Sequence, residues 1–384
     1  MTGAEPHVRP AYALLYSFKG KDDGRDPHAG PLVAVKGVLY GTTEYGGGIC
    51  HDRCFGGTVF AITASGSESV LHSFDVGSED GKNPRAGVID VAGRLYGTTV
   101  HGGVASCYCG TVFKVTTSGK ESVLHSFTGE PDGVGPEYGL FDFNGTLYGT
   151  TANGGTNDDG TVFAITPAGK ESVLHSFAGK PDGAHPKASL INVNGTLYGT
   201  TFYGGANCGS RGGCGTVFTI TPSGAESVLY SFKGGSGDGE YPTQAALLDV
   251  NGTLYGMSKR GGTHNRGTIF SMTTSGEESV LHSFGGSGDG IYPYGGFIDV
   301  NGTLYGTTSN GGTVSCGVRY GNVHGCGTVF KSTLSGKESV LHSFGAPKDG
   351  KYPYSGLIDL NGTLYGTTTA GGTSNAGTVF SLSP

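Results

Sequence analysis

Four short stretches rich in apolar residues recur as a set along the chain. In the third copy they are residues 139–143 (GLFDF), 146–151 (TLYGTT), 161–166 (TVFAIT) and 172–177 (SVLHSF). An Asn-Gly step, the dipeptide most typical of a two-residue hairpin, separates the first stretch from the second, and Pro-Ala-Gly follows the third. The pattern predicts four short antiparallel β-strands joined by hairpins.

The Leu-Tyr-Gly core of the second stretch occurs seven times, at intervals of 50 to 60 residues. Its tyrosines are Tyr40, Tyr96, Tyr148, Tyr198, Tyr255, Tyr305 and Tyr365. A four-stranded unit of this length is typical of a β-propeller blade, whereas a β-solenoid coil would need fewer residues per turn. We therefore predict an all-β, seven-bladed propeller of four-stranded antiparallel blades, with residues 1–384 as a single domain.

Each end of the chain carries part of one blade. Residues 12–18 (YALLYSF) match a fourth strand that has no preceding three, and residues 355–382 contain three strands with no fourth. Pairing of the two would complete the seventh blade and remove an open sheet edge. We expect residues 1–11 to be an N-terminal extension.

The succession of LYGTT, GG, GTVF and VLYSF or VLHSF, from Leu14 to Leu382, resembles the GloVer tandem repeats of exported bacterial proteins. The resemblance implies a surface or secreted protein built from repeats, and it carries no established activity. More distantly, the blade is similar to those of seven-bladed bacterial lyases. Since one fold supports many functions, that likeness concerns architecture.

Charge and hydropathy narrow the choice of partners. The net charge is −7 and only 14% of residues are charged, so the positive field that drives nucleic-acid binding is missing. No apolar run approaches the 18 or more residues that span a bilayer. We expect a monomeric protein that binds no nucleic acid and does not insert into a membrane.

The eight cysteines form four close pairs, each between a Gly-Gly and the next Gly-Thr-Val-Phe or its equivalent. The pairs are Cys50/Cys54, Cys107/Cys109, Cys208/Cys214 and Cys316/Cys326. Such local pairs predict disulfides, and therefore an oxidising, extracellular or periplasmic location for a mature chain whose export signal is not part of this sequence. Zinc held by pairs from neighbouring repeats is the alternative.

Residues that recur in every blade are most simply structural. Histidine occupies one position of the fourth strand in five blades (His72, His125, His175, His282 and His342), where Tyr16 and Tyr230 stand in the other two. This exchange favours a repeated hydrogen bond over a metal site. Seven Asp-Gly steps predict turns in which the aspartate bonds nearby backbone. Calcium held by these loops is the alternative, and no cofactor is expected.

Function is expected where the repeat varies, on the face reached by the loop before the first strand and the loop between the second and third strands. Residues after the repeat proline and before the Gly-Gly vary most. The predicted substrate-binding residues there are Arg85, Lys187, Gln244, Lys259, Tyr294 and Tyr354, and the predicted catalytic residues are His101, Tyr138, Tyr203 and Arg260. Blade five departs furthest from the repeat, at Met257-Ser258-Lys259-Arg260.

This set suits recognition of an acidic polysaccharide, because cations pair with uronate carboxylates and tyrosine rings cover sugars. In a β-elimination, a cation such as Arg260 would neutralise the carboxylate, His101 or a tyrosine would remove the adjacent proton, and Tyr138 or Tyr203 would protonate the leaving oxygen. A binding or scaffold protein without catalysis is the alternative, as are ordinary solvated loops. A glycosidase is disfavoured, because Glu44 and Glu137 lie two blades apart with nothing to pair them.

Overall fold

The computed structural model describes residues 10–28, 30–47, 56–74, 79–103, 107–208, 212–319 and 322–384. These residues form β-strands and turns, arranged as seven four-stranded antiparallel sheets. The first strands of most consecutive blades pack side by side, including those of blades seven and one. The sheets therefore surround a central channel, and the predicted seven-bladed propeller is confirmed.

The first strand of each blade is short and lines the channel, because only three residues precede the hairpin turn. The first strands are Val33–Val35, Ile89–Val91, Phe141–Phe143, Ile191–Val193, Leu248–Val250, Ile298–Val300 and Ile358–Leu360. The second strands carry the Leu-Tyr-Gly core and are Val38–Thr43, Arg94–Thr99, Thr146–Thr151, Thr196–Gly204, Thr253–Gly261, Thr303–Gly311 and Thr363–Thr368.

The third and fourth strands form the outer half of each blade. The third strands are Thr58–Thr63, Thr111–Thr116, Thr161–Ile165, Thr216–Ile220, Thr268–Thr273, Thr328–Thr333 and Thr378–Ser383. The fourth strands are Glu68–Ser73, Glu121–Ser126, Glu171–Ser176, Glu226–Ser231, Glu278–Ser283, Glu338–Ser343 and, from the N-terminus, Ala11–Ser17.

The seventh blade is built from both ends of the chain. Ala11–Ser17 pairs antiparallel with Thr378–Ser383, and the sheet continues through Thr363–Thr368 to Ile358–Leu360. The N-terminal strand thus begins one residue earlier than the sequence predicts. This pairing covers the outer edge of the third strand, which would otherwise be open.

Consecutive blades pack through a repeated pair of phenylalanines. The ring that follows each fourth strand meets the third-strand ring of the next blade edge-on, as Phe74 meets Phe113 with centroids 5.0 Å apart. Both rings are almost fully buried. The same contact closes the circle between Phe18 and Phe60, at 5.2 Å. These pairs join each blade to the next by a largely apolar interface.

The end of the second strand is fixed by a buried hydroxyl pair. In the third blade Thr151 Oγ1 and Thr161 Oγ1 are 2.8 Å apart, and the equivalent pair occurs in all seven blades. Ser258 takes the threonine position in blade five and keeps the bond to Thr268, at 2.7 Å. The neighbouring Met257 is buried. The Met-Ser departure is therefore structural.

The repeated histidines and aspartates form the predicted hydrogen bonds. His72 Nε2 lies 2.9 Å from Oδ2 of Asp80, and Tyr230 donates to Asp238 at 2.9 Å in the same place. The other four histidines make the same contact. Oδ1 of six of the seven aspartates, all except Asp23, accepts the next backbone N–H, as at Asp132. A glutamate from the following blade lies beside several of these pairs, such as Glu121 beside His72, whereas Tyr12 stacks on His342 in the group that adjoins blade seven.

The loop before the first strand and the loop between the second and third strands lie together, as predicted. Lys82 pairs with His101 in a two-residue ladder, and equivalent ladders occur in blades three to seven. In blade six this face also carries a hairpin, Ser315–Arg319 with Asn322–Gly325. We call this surface the loop face.

Disulfides join three of the predicted cysteine pairs, Cys107–Cys109, Cys208–Cys214 and Cys316–Cys326. The fourth pair, Cys50 and Cys54, lies outside the described residues. The six bonded sulfurs are not thiolates and are therefore unavailable as zinc ligands. A chain with these bonds matches an oxidising environment. None of the described residues belongs to a helix of the length and apolarity that a bilayer crossing requires.

Candidate functional site

The residues after the repeat proline surround the loop-face end of the channel. A cavity of about 310 Å³ lies along the channel and is lined mostly by apolar residues from all seven blades. Tyr138 and Gln244 are among its lining residues. Side chains of differing charge lie at its mouth, and they form two groups.

The first group is an acid–arginine cluster on blades one to three, made of Asp26, His28, Glu44, Arg85 and Glu137. Arg85 donates from Nε to Oε1 of Glu44 at 2.9 Å, and its Nη1 lies 3.4 Å from Oε2 of Glu137. The Glu44 side chain is only 4% exposed, against 35% for Arg85. Arg85 therefore bridges two carboxylates from two other blades.

Burial and charge shift the pKa values in this cluster. Burial, with the nearby Glu44 charge, raises the pKa of Asp26 to about 7. Burial lowers the pKa of His28. Although burial alone would lower it, the contacts with Glu44 and Glu137 raise the pKa of Arg85. The guanidinium is therefore firmly charged, and its charge is already compensated.

Aromatic rings from blades three, six, seven and one meet beside this cluster. Tyr138 is 3% exposed and donates to Oε2 of Glu137 at 3.0 Å. Tyr294 meets Tyr354 edge-on at 4.4 Å, and Tyr354 stacks on His28 at 5.2 Å. Burial raises the pKa values of Tyr138 and Tyr294, so both phenols stay protonated.

The second group is a basic–aromatic cluster on blades four to six, made of Lys187, Phe202, Lys259, Arg260 and Tyr294. Lys187 Nζ lies 4.9 Å from the ring centroid of Phe202. Lys259 Nζ is 6.0 Å from the same ring and 5.9 Å from the ring of Tyr294. Cations at such distances are attracted to the face of an aromatic ring.

The three cations of the basic–aromatic cluster lack acidic partners within the described part of the chain. Among the described residues, no carboxylate forms an ion pair with Lys187, Lys259 or Arg260. Arg260 is opposite Glu240 in the strand pairing without forming one. Burial, followed by the charges of Arg260 and Lys187, lowers the pKa of Lys259. This group offers both uncompensated positive charge and an aromatic surface.

Two predicted catalytic residues lie beside these clusters. Tyr203 packs edge-on against Phe202 at 4.8 Å and against His185 at 5.6 Å. His101 is exposed, and its pKa is lowered by burial of part of the ring and by the charges of Lys82 and Arg85. Its electrostatic partners place it on the acid–arginine side of the mouth.

The structure therefore divides the predicted site. Five of the predicted residues are associated with the basic–aromatic cluster: Lys187, Lys259, Arg260, Tyr203 and Tyr294. Four other predicted residues belong to the acid–arginine side of the mouth: Arg85, His101, Tyr138 and Tyr354. Gln244 lines the channel. The interpretation that nothing pairs Glu44 with Glu137 is wrong, because Arg85 contacts both. Among the described residues, the cation of Arg85 on blade two is therefore paired with acids, unlike those of Lys187, Lys259 and Arg260 on blades four and five.

Sequence reasoning missed the residue before each repeat proline. Asp26, His185 and Tyr241 hold this position in blades one, four and five, with φ of 57°, 50° and 59°. Only a few per cent of non-glycine residues adopt such left-handed values. Tyr241 stacks on Phe202 at 4.9 Å. The signal was available, because this position varies between repeats as much as the one after the proline.

Cys208 and Cys214 lie close to Glu240 but are joined by a disulfide, and apart from them two kinds of described side-chain group have the composition of a metal site. One is Asp26, His28 and Glu44 at the channel mouth. The other is the repeated His–Asp–Glu group at the outer rim, such as His72, Asp80 and Glu121. In the outer groups the histidine is already hydrogen bonded to the aspartate.

Comparison with known families settles the relationship of the repeats. The family model of the Gloeobacter/Verrucomicrobia repeat matches residues 6–210, 106–320 and 202–384, which overlap across nearly the whole chain. The chain belongs to the Gloeobacter/Verrucomicrobia repeat family. Membership agrees with the resemblance of the LYGTT and GTVF motifs and describes the repeat rather than an activity.

Solved structures with a similar fold include two enzymes. A gluconolactonase from Xanthomonas campestris is 14% identical, with a TM-score of 0.40, over 71% of this chain and 78% of its own. A luciferin-regenerating enzyme is 13% identical, with a TM-score of 0.46, over 98% of this chain and 95% of its own. Likenesses this distant concern the fold alone. No curated protein matches the sequence.

Proposed function

We propose that this protein is a secreted enzyme that binds a uronate-containing polysaccharide on the loop face and cleaves it by β-elimination. The observation that supports the proposal is the basic–aromatic cluster, in which Lys187 and Lys259 lie near the ring of Phe202 and form no ion pair with any described carboxylate. Uronate chains present carboxylates and apolar sugar faces together. The disulfides on the same face agree with an extracellular or periplasmic location.

The reaction assigned to this cluster removes a proton next to the uronate carboxylate. Lys187 and Arg260 neutralise the carboxylate, which acidifies the adjacent C–H bond. Lys259, whose pKa is lowered, takes that proton as the base. The C–H electron pair forms a carbon–carbon double bond as the glycosidic C–O bond breaks. Tyr294, which stays protonated, donates its phenolic proton to the leaving oxygen.

This assignment revises the roles expected for the tyrosines and the base. Tyr138 is buried and its hydroxyl is donated to Glu137, so its proton is already engaged. Tyr294 is closer to the candidate base, with its ring 5.9 Å from Lys259 Nζ. Arg85 is paired with two carboxylates, which makes Lys187 and Arg260 the better partners for a uronate.

The test is to incubate the purified chain with alginate, polygalacturonate and hyaluronan and to follow the ultraviolet absorbance of the new double bond. We expect absorbance to rise with at least one polymer and not with a neutral glucan. Lys259→Met should lower turnover by about 100-fold or more, as removal of a general base does. Lys114→Met, on the third strand of blade two and away from the mouth, is the matched control.

The second candidate is a non-catalytic glycan-binding propeller that uses the same cluster. It is favoured by the cation contacts over Phe202, which serve binding whether or not a bond is broken. Saturable retention on an immobilised uronate polymer, lost in Lys187→Met and Lys259→Met, with no new absorbance, would establish binding alone. Failure of both retention and turnover would exclude both candidates.

A further inference from the structure

Asp26, His28 and Glu44 bring three potential metal ligands together beside the channel mouth. A carboxylate oxygen of Asp26, a carboxylate oxygen of Glu44 and a ring nitrogen of His28 all lie within 4.8 Å of one another. We propose that these three side chains bind a divalent transition-metal ion, with Zn²⁺ as the probe. The inference concerns the acid–arginine cluster and does not rest on the glycan function proposed for the other cluster.

Unsatisfied polar atoms give the independent reason for a ligand here. Oδ1 of Asp26 and Nδ1 of His28 are both shielded from solvent, and neither has a hydrogen-bond partner among the residues that the structure describes. The His28 residue as a whole is half-buried. Burying a polar atom without a partner is costly, so such atoms are usually satisfied by protein, water or an ion. A cation bound by Asp26 and His28 is one such partner.

The surrounding structure already orients the three side chains. The backbone N–H of Glu44 donates to the carbonyl of Asp26 at 2.9 Å, which ties two of the ligand residues together. The His28 ring is held by stacking on Tyr354, with an interplanar angle of 11°. Arg85 binds one carboxylate oxygen of Glu44. Partners of this kind, outside the ligand set itself, are typical of metal sites.

The donor set indicates the class of ion. One imidazole with two carboxylates suits Zn²⁺ and related first-row metals, whereas Ca²⁺ prefers six to eight oxygen ligands. A tetrahedral ion with bonds of about 2.1 Å places its ligand atoms about 3.4 Å apart. Closing a group that now lies within 4.8 Å needs only small side-chain movements. Water or substrate would complete the coordination.

The outer His–Asp–Glu groups provide an internal comparison. They contain the same residue types, but in them the histidine nitrogen is hydrogen bonded to the aspartate, as His72 is to Asp80 at 2.9 Å. Tyrosine takes the histidine position at Tyr16 and Tyr230 and makes the same bond. The outer position therefore works without an imidazole, and His72→Tyr is a natural control for His28.

The experiment uses the full chain without a histidine tag, stripped with a chelator. Equilibrium dialysis against Zn²⁺ with metal analysis should give one ion per chain for the wild type and for His72→Tyr. Loss of a residue that only supports a metal ligand typically weakens binding by about 10- to 100-fold. Asp26→Asn and His28→Asn remove ligands and should each weaken Zn²⁺ binding by more than that. Titration with Co²⁺ should give a visible absorption spectrum for the wild type that is lost in His28→Asn.

Thermal unfolding separates lost binding from lost folding. Zn²⁺ should raise the Tm of the wild type and of His72→Tyr and leave that of His28→Asn unchanged. The proposal is overturned if the wild type binds no Zn²⁺, if His28→Asn binds as tightly as the wild type, or if binding disappears in His72→Tyr instead. Tighter binding of Ca²⁺ than of Zn²⁺ would also overturn it. Because turnover is not measured, the result is independent of the β-elimination test.

Discussion

Arg85 of blade two donates to Glu44 of blade one at 2.9 Å, and the carboxylate that it binds is almost completely buried. The same guanidinium lies 3.4 Å from Glu137 of blade three. One arginine thus connects three consecutive blades at the channel mouth. From the sequence, Arg85 is expected to bind an anionic ligand, but in the structure its charge is already paired with carboxylates of the protein.

Replacing Arg85 should therefore destabilise the fold. Arg85→Met leaves the buried Glu44 carboxylate without its partner, and we expect the free energy of unfolding to fall by about 1–3 kcal/mol, less than for a fully buried pair because Arg85 is 35% exposed. Urea denaturation in the presence of chelator measures it. In the double variant Arg85→Met with Glu44→Gln, part of the lost free energy of unfolding should be recovered. If the effects of the two substitutions are strictly additive, the two side chains are not coupled and the prediction is contradicted.

The architecture could be predicted from sequence because every blade repeats the same signals. Each copy has its strands, its hairpin dipeptide and its Leu-Tyr-Gly core at corresponding positions, so seven weak indications support one answer. The partial fourth strand at the N-terminus likewise predicted its pairing with Thr378–Ser383. Variation after the repeat proline also identified much of the channel mouth.

The pairing of side chains at that mouth could not be predicted in the same way. Arg85 contacts Glu44 of the preceding blade and Glu137 of the following blade. The repeat pattern does not specify contacts between side chains of different blades. Asp26 was missed because its side chain is directed by a left-handed backbone conformation, with φ of 57°, that the sequence does not display. Lys187 and Lys259 were found, whereas Phe202 between them was not.

The outer hydrogen bond predicts that one histidine can be exchanged for tyrosine. His72→Tyr should change the free energy of unfolding by less than about 0.5 kcal/mol, because Tyr16 and Tyr230 already bond their aspartates at 2.8 and 2.9 Å. His72→Ala should cost about 1–2 kcal/mol, since Asp80 loses a partner. Thermal melts of the two variants measure the difference, and equal costs would argue against a hydrogen-bonding role.

Stability should depend on pH through the glutamates of the outer groups. Burial, followed by the charge of Asp80, raises the pKa of Glu121 from 4.5 to about 7, against a small opposing effect of His72. Burial and Asp132 do the same to Glu171, opposed by His125. Similar values hold for Glu226, Glu278 and Glu338.

The folded state holds the protons of these glutamates more tightly than the unfolded state, and this fixes the direction in which stability changes with pH. Because the folded pKa is the higher one, these groups favour the folded state below about pH 4.5, and their contribution is lost as pH rises to about 7. The pKa values of Asp132 and Asp349 are lowered, so these two groups affect stability only at pH values below this window. Tm measured across the window should fall with rising pH, and less steeply in Glu121→Gln with Glu171→Gln. The exposed Glu277→Gln is the control, and an unchanged slope in the double variant would contradict the prediction.

The glycine of the Leu-Tyr-Gly core is required by packing rather than by backbone freedom. A Cβ on Gly149 would lie 2.5 Å from Cζ of Phe163, a ring in the blade core, whereas a Cβ on Gly139 would meet nothing nearer than Ser189, at 3.9 Å. Gly149→Ala should therefore lower the free energy of unfolding by about 1–3 kcal/mol, and Gly139→Ala should be nearly neutral. Urea denaturation of the two variants compares the same chemical change within one blade. If both cost the same, the glycine would owe its place in every repeat to something other than the phenylalanine ring above it.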